Sequence, residues 1–349
     1  MRRGEQRPHR RTRAAAMPPD GTRAGPDPAA PRCLVAEPME EAPRRRLGRR
    51  LALMYRPRLG PQPLPLRRLA AAWQPTALVV RNRTRVDREL LDTLTRLRVV
   101  GRLGSGLDNL DTDALRERGI AVVSAPGAAA AAVAELVFAY LLSVARPLAQ
   151  ADADVRAGRW RREAMAGFEL YGKRLGVVGM GEVGQRVALR ARAFGMRVMA
   201  CDPGRPPNGV VFAELGTERA DLDHLLAACR FVTLHVPLTP RTRGLIGAAA
   251  LARMRPDAHL IVTCRGGVVD EAALADALRR RRLAGALLDV RESEPPPRPD
   301  PLADVPGLVR TPHIGGLTPE ARLRVGHAVA DGVLAALGLG GEGPALRPA

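Results

Sequence analysis

The segment Leu175-Gly-Val-Val-Gly-Met-Gly-Glu-Val-Gly184 constrains the fold of this chain more than any other stretch. The apolar run Leu175 to Val178 reads as a buried strand and leads directly into Gly179-x-Gly181-x-x-Gly184. An amphipathic helical pattern follows from about Glu182 to Phe194, with Gly195 as its stop. The next apolar run, Met196 to Cys201, ends in Asp202. Strand, glycine turn, helix, strand and acid in this order form the context that a dinucleotide fingerprint requires. Gly179 permits the tight turn, Gly181 lets a pyrophosphate approach the backbone, and Gly184 lets helix and strand pack closely. The helix start offers unpaired N–H groups and a partial positive charge to phosphates. Asp202 is placed to accept hydrogen bonds from the adenosine ribose hydroxyls, which favours NAD over NADP.

At 349 residues the chain has room for two ordinary cores, and its 46% hydrophobic content is that of a globular protein. The net charge of +19 invites a nucleic-acid reading, which the pattern argues against. Lys173 is the only lysine, the arginines are spread along the chain, and few aromatics are available to stack bases. A basic field still attracts a dinucleotide and a small anionic substrate. Cys33, Cys201, Cys229 and Cys264 have no C-x-x-C spacing, which speaks against a zinc site or a disulfide framework and fits a reducing cytoplasm. Residues 1–32 and 339–349 read as tails without an apolar period. No signal-peptide core follows the basic N-terminus, so a cytoplasmic location is expected. Ala125 to Ala145 is almost entirely apolar, but Pro126, Gly127 and Glu135 interrupt it and Arg146-Pro147 closes it. A buried helix is expected there, with no membrane partner.

Strands are expected near 33–36, 77–80, 99–103 and 120–123, then regularly near 175–178, 196–201, 231–236, 258–263, 285–290 and 308–311. Helical patterns lie between most of them, including Leu90–Leu97, Arg219–Cys229, Leu245–Met254 and Glu271–Leu283. Pro61 to Pro65 and Pro295 to Pro299 read as turns or stiff loops. Strands separated by helices pair in parallel with right-handed crossovers. The expected fold is α/β, with a doubly wound Rossmann domain over 127–313. It is inserted into a smaller α/β substrate domain formed by 33–126 and the helix of 314–338.

Three segments after the fingerprint carry candidate chemistry. Arg265 follows the apolar run Leu260 to Cys264, at the carboxyl end of a strand, where open α/β sheets place ligands. An Arg there can hold a carboxylate bidentately. Asp289 and Glu294 follow another buried apolar run, which begins at Gly285. His313 ends another strand and precedes Gly315-Gly316. A His beside a carboxylate can act as a tuned acid and base. An Arg, a Glu and a His at strand ends of one sheet can converge on the crevice that holds the nicotinamide, a geometry suited to hydride transfer at a carbon bearing a hydroxyl.

Taken in order, these segments resemble the D-isomer-specific 2-hydroxyacid dehydrogenase family over about Cys33 to Leu337, and within it the phosphoglycerate-oxidising branch. The matches include Val80-Arg-Asn-Arg-Thr84, Gly101-Arg-Leu-Gly-Ser-Gly-Leu-Asp-Asn109, Trp160, the glycine fingerprint, His235-Val-Pro237 and the Arg265 segment. They continue with Leu288-Asp-Val290, Glu294-Pro295 and Pro312-His-Ile-Gly-Gly316. The resemblance implies a flavodoxin-like substrate domain, a homodimer with the apolar helix in or near its interface, NAD as cofactor, and a closing cleft with hinges near Gly127 and Ile314. It implies that His313 takes the C2 hydroxyl proton, that Glu294 orients His313, and that Arg265 binds the substrate carboxylate together with amides around Gly104, Ser105 and Gly106. Ser105, Glu182, Val183, Val236, Thr263, Cys264, Asp289 and Gly316 would meet the cofactor. Arg81 and Arg83 match the phosphate-binding loop, with Arg162 a further candidate. The chain departs from the pattern at Ala129, Ala132, Val262, Leu317 and Arg291, the last in place of a frequent Phe. It stops soon after Leu337, so feedback inhibition by serine is not expected. Glyoxylate or hydroxypyruvate reduction, or NAD sensing without turnover, remain open alternatives at this level.

Overall fold

The computed structural model describes residues 31–204 and 210–340, so Arg205 lies outside the described residues. Of the expected tails 1–32 and 339–349, residues 1–30 and 341–349 also lie outside them, whereas Arg32 opens the first strand and Leu339 packs against a core cluster, so both tails are shorter than expected at their inner ends. Two parallel sheets organise the chain. The first contains β1 (Arg32–Val35), β2 (Ala52–Tyr55), β3 (Ala77–Val80), β4 (Val99–Arg102) and β5 (Ala121–Val123) in the order β2-β1-β3-β4-β5. This is the flavodoxin-like order. The second contains β6 (Arg174–Val178), β7 (Arg197–Cys201), β8 (Glu218–Arg219), β9 (Phe231–Leu234), β10 (His259–Val262), β11 (Gly285–Leu288) and β12 (Leu308–Arg310). Its order, β12-β11-β10-β9-β6-β7-β8, is doubly wound. β6 to β12 run parallel, so each connection must cross the sheet, and helices make most of those crossings.

The register of the second sheet aligns its exits. Val178 lies opposite Cys201 and Leu234, Val262 opposite Leu234 and Leu288, and Leu288 opposite Arg310. Gly179, His235, Thr263, Asp289 and Thr311 therefore leave the sheet in one row. The order reverses between β6 and β9, so the crevice at their carboxyl ends is the topological switch point of a doubly wound sheet.

The helix Pro319–Ala336 follows β12 but packs on β4, β5 and the helix Glu41–Gly48 of the first sheet. Gly332 permits this approach, since a Cβ there would lie 2.3 Å from Val123. The apolar helix Ala130–Ala145 packs against the fingerprint helix Glu182–Ala193 and buries Val137 and Leu141 completely. Among the described residues no single helix is long and apolar enough to cross a membrane; one helix pair passes by length and composition together, but it is bent by 54°.

Several elements differ from the sequence expectation. Pro63 starts the helix Pro63–Trp73 instead of belonging to a stiff loop. A proline in the first helical turn loses no hydrogen bond, because that N–H has no intrahelical acceptor. β2, β8, the helix Glu41–Gly48 and the helix Leu148–Arg156 carried no expectation. The helix expected over 90–97 is a single turn, Arg88–Leu91, and that over 245–254 shortens to Ala248–Arg253 because Ile246 bridges to Val269.

Candidate active site

The fingerprint turn is built as its sequence demands. Gly179 sits at φ +93°, and a Cβ on Gly184 would lie 2.0 Å from the Gly179 carbonyl oxygen. Around Gly181 the space is open: a Cβ there meets nothing within 4 Å. Gly181 is also the N-cap of the helix Glu182–Ala193, and no side chain caps it. The amides of Glu182 and Val183 thus open a long helix toward free space, the setting a pyrophosphate requires. At the end of β7, Asp202 accepts hydrogen bonds from the Met180 amide (2.8 Å) and the Gly204 amide (3.0 Å), which fixes the acid beside the turn.

The floor of the crevice comes from β9 and β10. His235 lies beside Thr233 (3.0 Å), and burial pushes its imidazole down to about 3, so it is neutral. Val236 would touch a Cβ on Gly179 at 3.0 Å. The Thr263 hydroxyl is buried without a partner, and Cys264 is buried with its thiol pushed up by burial. An open glycine turn, an uncapped helix start and an orphaned hydroxyl on the adjoining floor fit a dinucleotide.

Arg265 joins the two sheets. Its Nε donates to Asp108 (2.7 Å) and its Nη1 to the Cys264 carbonyl (2.6 Å). A Cβ on Gly106 would lie 1.7 Å from Nη2, so the guanidinium rests against the loop of Gly104, Ser105 and Gly106. The Ser105 hydroxyl donates to the Ala125 carbonyl (3.1 Å).

His313 and Glu294 form the second half. Nδ1 of His313 lies 2.7 Å from Oε2 of Glu294, and Oε1 accepts from the Arg291 amide at 3.1 Å. Burial disfavours the Glu294 charge, but the His313 hydrogen bond and charge, the Arg291 amide and the Arg265 charge outweigh it. The carboxyl is therefore held below its ordinary value. Since Glu294 is ionised at neutral pH, Nδ1 carries the hydrogen and Nε2 is left as the free nitrogen. His313 has φ +54°, uncommon for a side-chain-bearing residue. Asp289, 1% exposed, holds that turn: it accepts from the Thr311 hydroxyl (2.7 Å) and the amides of Ile314 (2.7 Å) and Gly315 (2.8 Å). Gly316 lies against Ala129.

The two arginines of the expected phosphate loop part company. Arg81 lines a small hollow with Glu40, Leu103 and Arg322, whereas Arg83 lines a different one with Arg67, Arg85 and Leu90. Arg162 is exposed, after an Arg159–Asp154–Arg161 clamp.

Four residues had no role assigned from the sequence. Glu37, 2% exposed, accepts from the amides of Arg81 and Thr84 and from the Thr84 hydroxyl, and Asn109 donates to the Arg81 and Thr84 carbonyls. Together they set the 81–84 loop. Asp108 anchors Arg265. Arg102 is 9% exposed, its Nε has no partner, and a Cβ on Gly104 would lie 1.6 Å from its Nη1. Burial and the charges of Arg265 and Arg81 push it down to about 10. An arginine inside an otherwise family-like Gly-Arg-Leu-Gly run was the available signal.

A family profile described as "D-isomer specific 2-hydroxyacid dehydrogenase, NAD binding domain" matches residues 138–315. An (S)-sulfolactate dehydrogenase of Chromohalobacter salexigens is 48% identical over 264 residues, covering 75% of this chain and 85% of that protein. A D-3-phosphoglycerate dehydrogenase of Methanocaldococcus jannaschii is 44% identical over 255 residues, 73% of this chain; the match spans only 48% of that longer protein. Among solved structures, the TT0316 protein of Thermus thermophilus superposes with a TM-score of 0.78 at 37% identity, covering 88% of this chain and 97% of that one.

Proposed function

Since this chain belongs to the D-isomer specific 2-hydroxyacid dehydrogenases, we propose that it oxidises D-3-phosphoglycerate to 3-phosphohydroxypyruvate with NAD. NAD, when bound, supplies the hydride acceptor. Arg265 and the amides of Gly104, Ser105 and Gly106 hold the substrate carboxylate. His313 accepts the C2 hydroxyl proton on Nε2, and Glu294 fixes the tautomer and stabilises the imidazolium. Asp108 anchors Arg265 through its Nε.

The observation that carries the substrate class is Arg102. A buried guanidinium with an unpartnered Nε, next to Arg265 and electrostatically coupled to Arg81, is relieved by an anion other than the C1 carboxylate. A tetrahedral anion on C3 meets that need. Hydrogen bonds to charged groups contribute about 1.5–3 kcal/mol, roughly 10- to 100-fold in affinity. Arg102→Met and Arg81→Ala are therefore expected to raise KM for phosphoglycerate about tenfold or more while leaving glycerate oxidation within about threefold. Equal wild-type efficiency on glycerate or lactate would remove distal-anion recognition. Tight NADH binding with no turnover on any acid would favour the sensing alternative.

A second reading has its own support: the sulfolactate enzyme is matched over most of its length. A sulfonate offers the same tetrahedral oxygens with one charge. The phosphate dianion takes up a proton and becomes a monoanion near pH 6, so KM for phosphoglycerate should climb below about pH 6, and KM for sulfolactate should not.

A homodimer is supported by exposed apolar side chains on packed neighbours: Leu142, Leu148, Val155, Leu189 and Phe194, with Trp160 77% exposed. Light scattering of the wild type against Trp160→Ser tests it. Four buried cysteines without disulfides support a cytoplasmic setting.

A further inference from the structure

Arg291, one of the departures from the family pattern noted in the sequence, is a buried arginine tied to the proton-transfer pair. Arg291 has an 8% exposed side chain. Its guanidinium donates through Nε and Nη2 to Glu271 (2.9–3.1 Å) and through Nη1 and Nη2 to Asp300 (3.2 and 3.0 Å). Each carboxylate holds a second segment as well. Glu271 accepts the Glu292 amide at 2.7 Å, and Asp300 accepts the Leu302 amide at 3.0 Å and an Arg310 N–H at 3.1 Å.

Two backbone contacts carry this clamp into the site. The Arg291 amide is the donor that occupies Oε1 of Glu294, leaving Oε2 for His313. The Arg291 carbonyl presses on the neighbour of Arg265: a Cβ on Gly266 would lie 1.9 Å from that oxygen and 2.6 Å from the Glu292 nitrogen. The peptide flanked by Arg291 and Glu292 is thus fixed from three sides, and it orients Glu294 while abutting the segment of Arg265. A phenylalanine would supply bulk here but no anchor to Glu271 or Asp300.

We infer that Arg291 is a positioning residue for the reaction, its two-carboxylate clamp setting the Glu294 carboxylate against His313 and the Arg265 segment beside it. The inference rests on the dehydrogenase reading above for its kinetic consequences, though not for its geometry.

The experiment compares wild type, Arg291→Lys, Arg291→Met and the triple variant Arg291→Met/Glu271→Gln/Asp300→Asn. The single Met variant leaves Glu271 without a cationic partner and Asp300 with Arg310 alone, both partly buried, and risks misfolding; the triple variant removes both charges. With the best 2-hydroxyacid of the substrate panel, kcat of the folded triple variant is expected to fall at least tenfold with KM for acid and NAD within about threefold. The acid limb of its oxidation profile should move to lower pH, because Glu294 no longer holds the imidazole proton as firmly. A lysine is a point charge and cannot grip both carboxylates as a fork, so Arg291→Lys should recover kcat only in part. In parallel, the His313 imidazole 15N shifts are followed by pH titration of the cofactor-free protein. A folded triple variant with wild-type kcat, pH profile and imidazole shifts would overturn the inference. If the wild type oxidises no 2-hydroxyacid, the dehydrogenase reading fails separately, and unchanged imidazole shifts alone then decide against Arg291.

Discussion

Asp289 shows how one side chain can act on the reaction through backbone. The resemblance places it near the nicotinamide carboxamide, yet both of its oxygens are engaged by the turn of Thr311 to Gly315. That turn holds His313 at φ +54°, a conformation that costs about 1–3 kcal/mol and persists only when its surroundings enforce it. Asp289→Asn puts an NH2 group against an amide donor. The expected result is a loss of about 1–3 kcal/mol in stability by urea melting. A kcat decrease larger than that of an equally destabilising core variant such as Leu274→Ala should accompany it. Asp202 presents a second test. Its geometry beside Met180 predicts NAD preference, and Asp202→Ser should narrow the NAD to NADP ratio of kcat/KM; a wild type faster with NADP would defeat the assignment.

At the level of elements, the fingerprint glycines separate into two kinds. Gly184 is required by packing, since its Cβ would meet backbone at 2.0 Å, whereas Gly181 faces open space. Gly184→Ala should therefore lower the melting temperature, with overpacking of about 1–3 kcal/mol. Gly181→Ala should leave the melt within about 2 °C, a change of under ~0.5 kcal/mol, and weaken NADH binding in a fluorescence titration. The strands and helices around this turn were legible because a buried parallel strand is a short apolar run and the glycines punctuate it. β2 was not: Ala52-Leu-Met-Tyr55 is a four-residue, half-buried edge strand, and so short an apolar run, rich in helix formers, does not by itself tell strand from helix. The helix Pro63–Trp73 was hidden behind prolines that read as loop unless the first-turn exception is applied.

For the whole molecule, acid should act through histidines kept neutral by burial. His259 is 9% exposed, lies 3.1 Å from the Tyr140 hydroxyl, and is pushed down to about 4 by burial and by Arg230. Its folded value lies below the unfolded one, so its contribution is complete above about pH 6.5 and is lost as pH falls toward 4. The slope expected from this one group is about 1.4 kcal/mol per pH unit. Urea melts between pH 7.5 and 5 should show it, and His259→Gln should flatten it; a pH-independent wild type would refute the assignment.

The chain sequence alone determined the glycine turn, the parallel α/β alternation, and the identities of Arg265, Glu294 and His313, because each is written in a local pattern whose period or punctuation survives without neighbours. Only the tertiary structure decided that Arg265 of the second sheet reaches Asp108 beside the first, that Arg81 and Arg83 line separate hollows, and that Arg291 anchors the Glu294 loop. Those facts depend on contacts between residues up to 157 positions apart. Which arginine loses water and which keeps it is set by burial, a property that no stretch of sequence holds by itself.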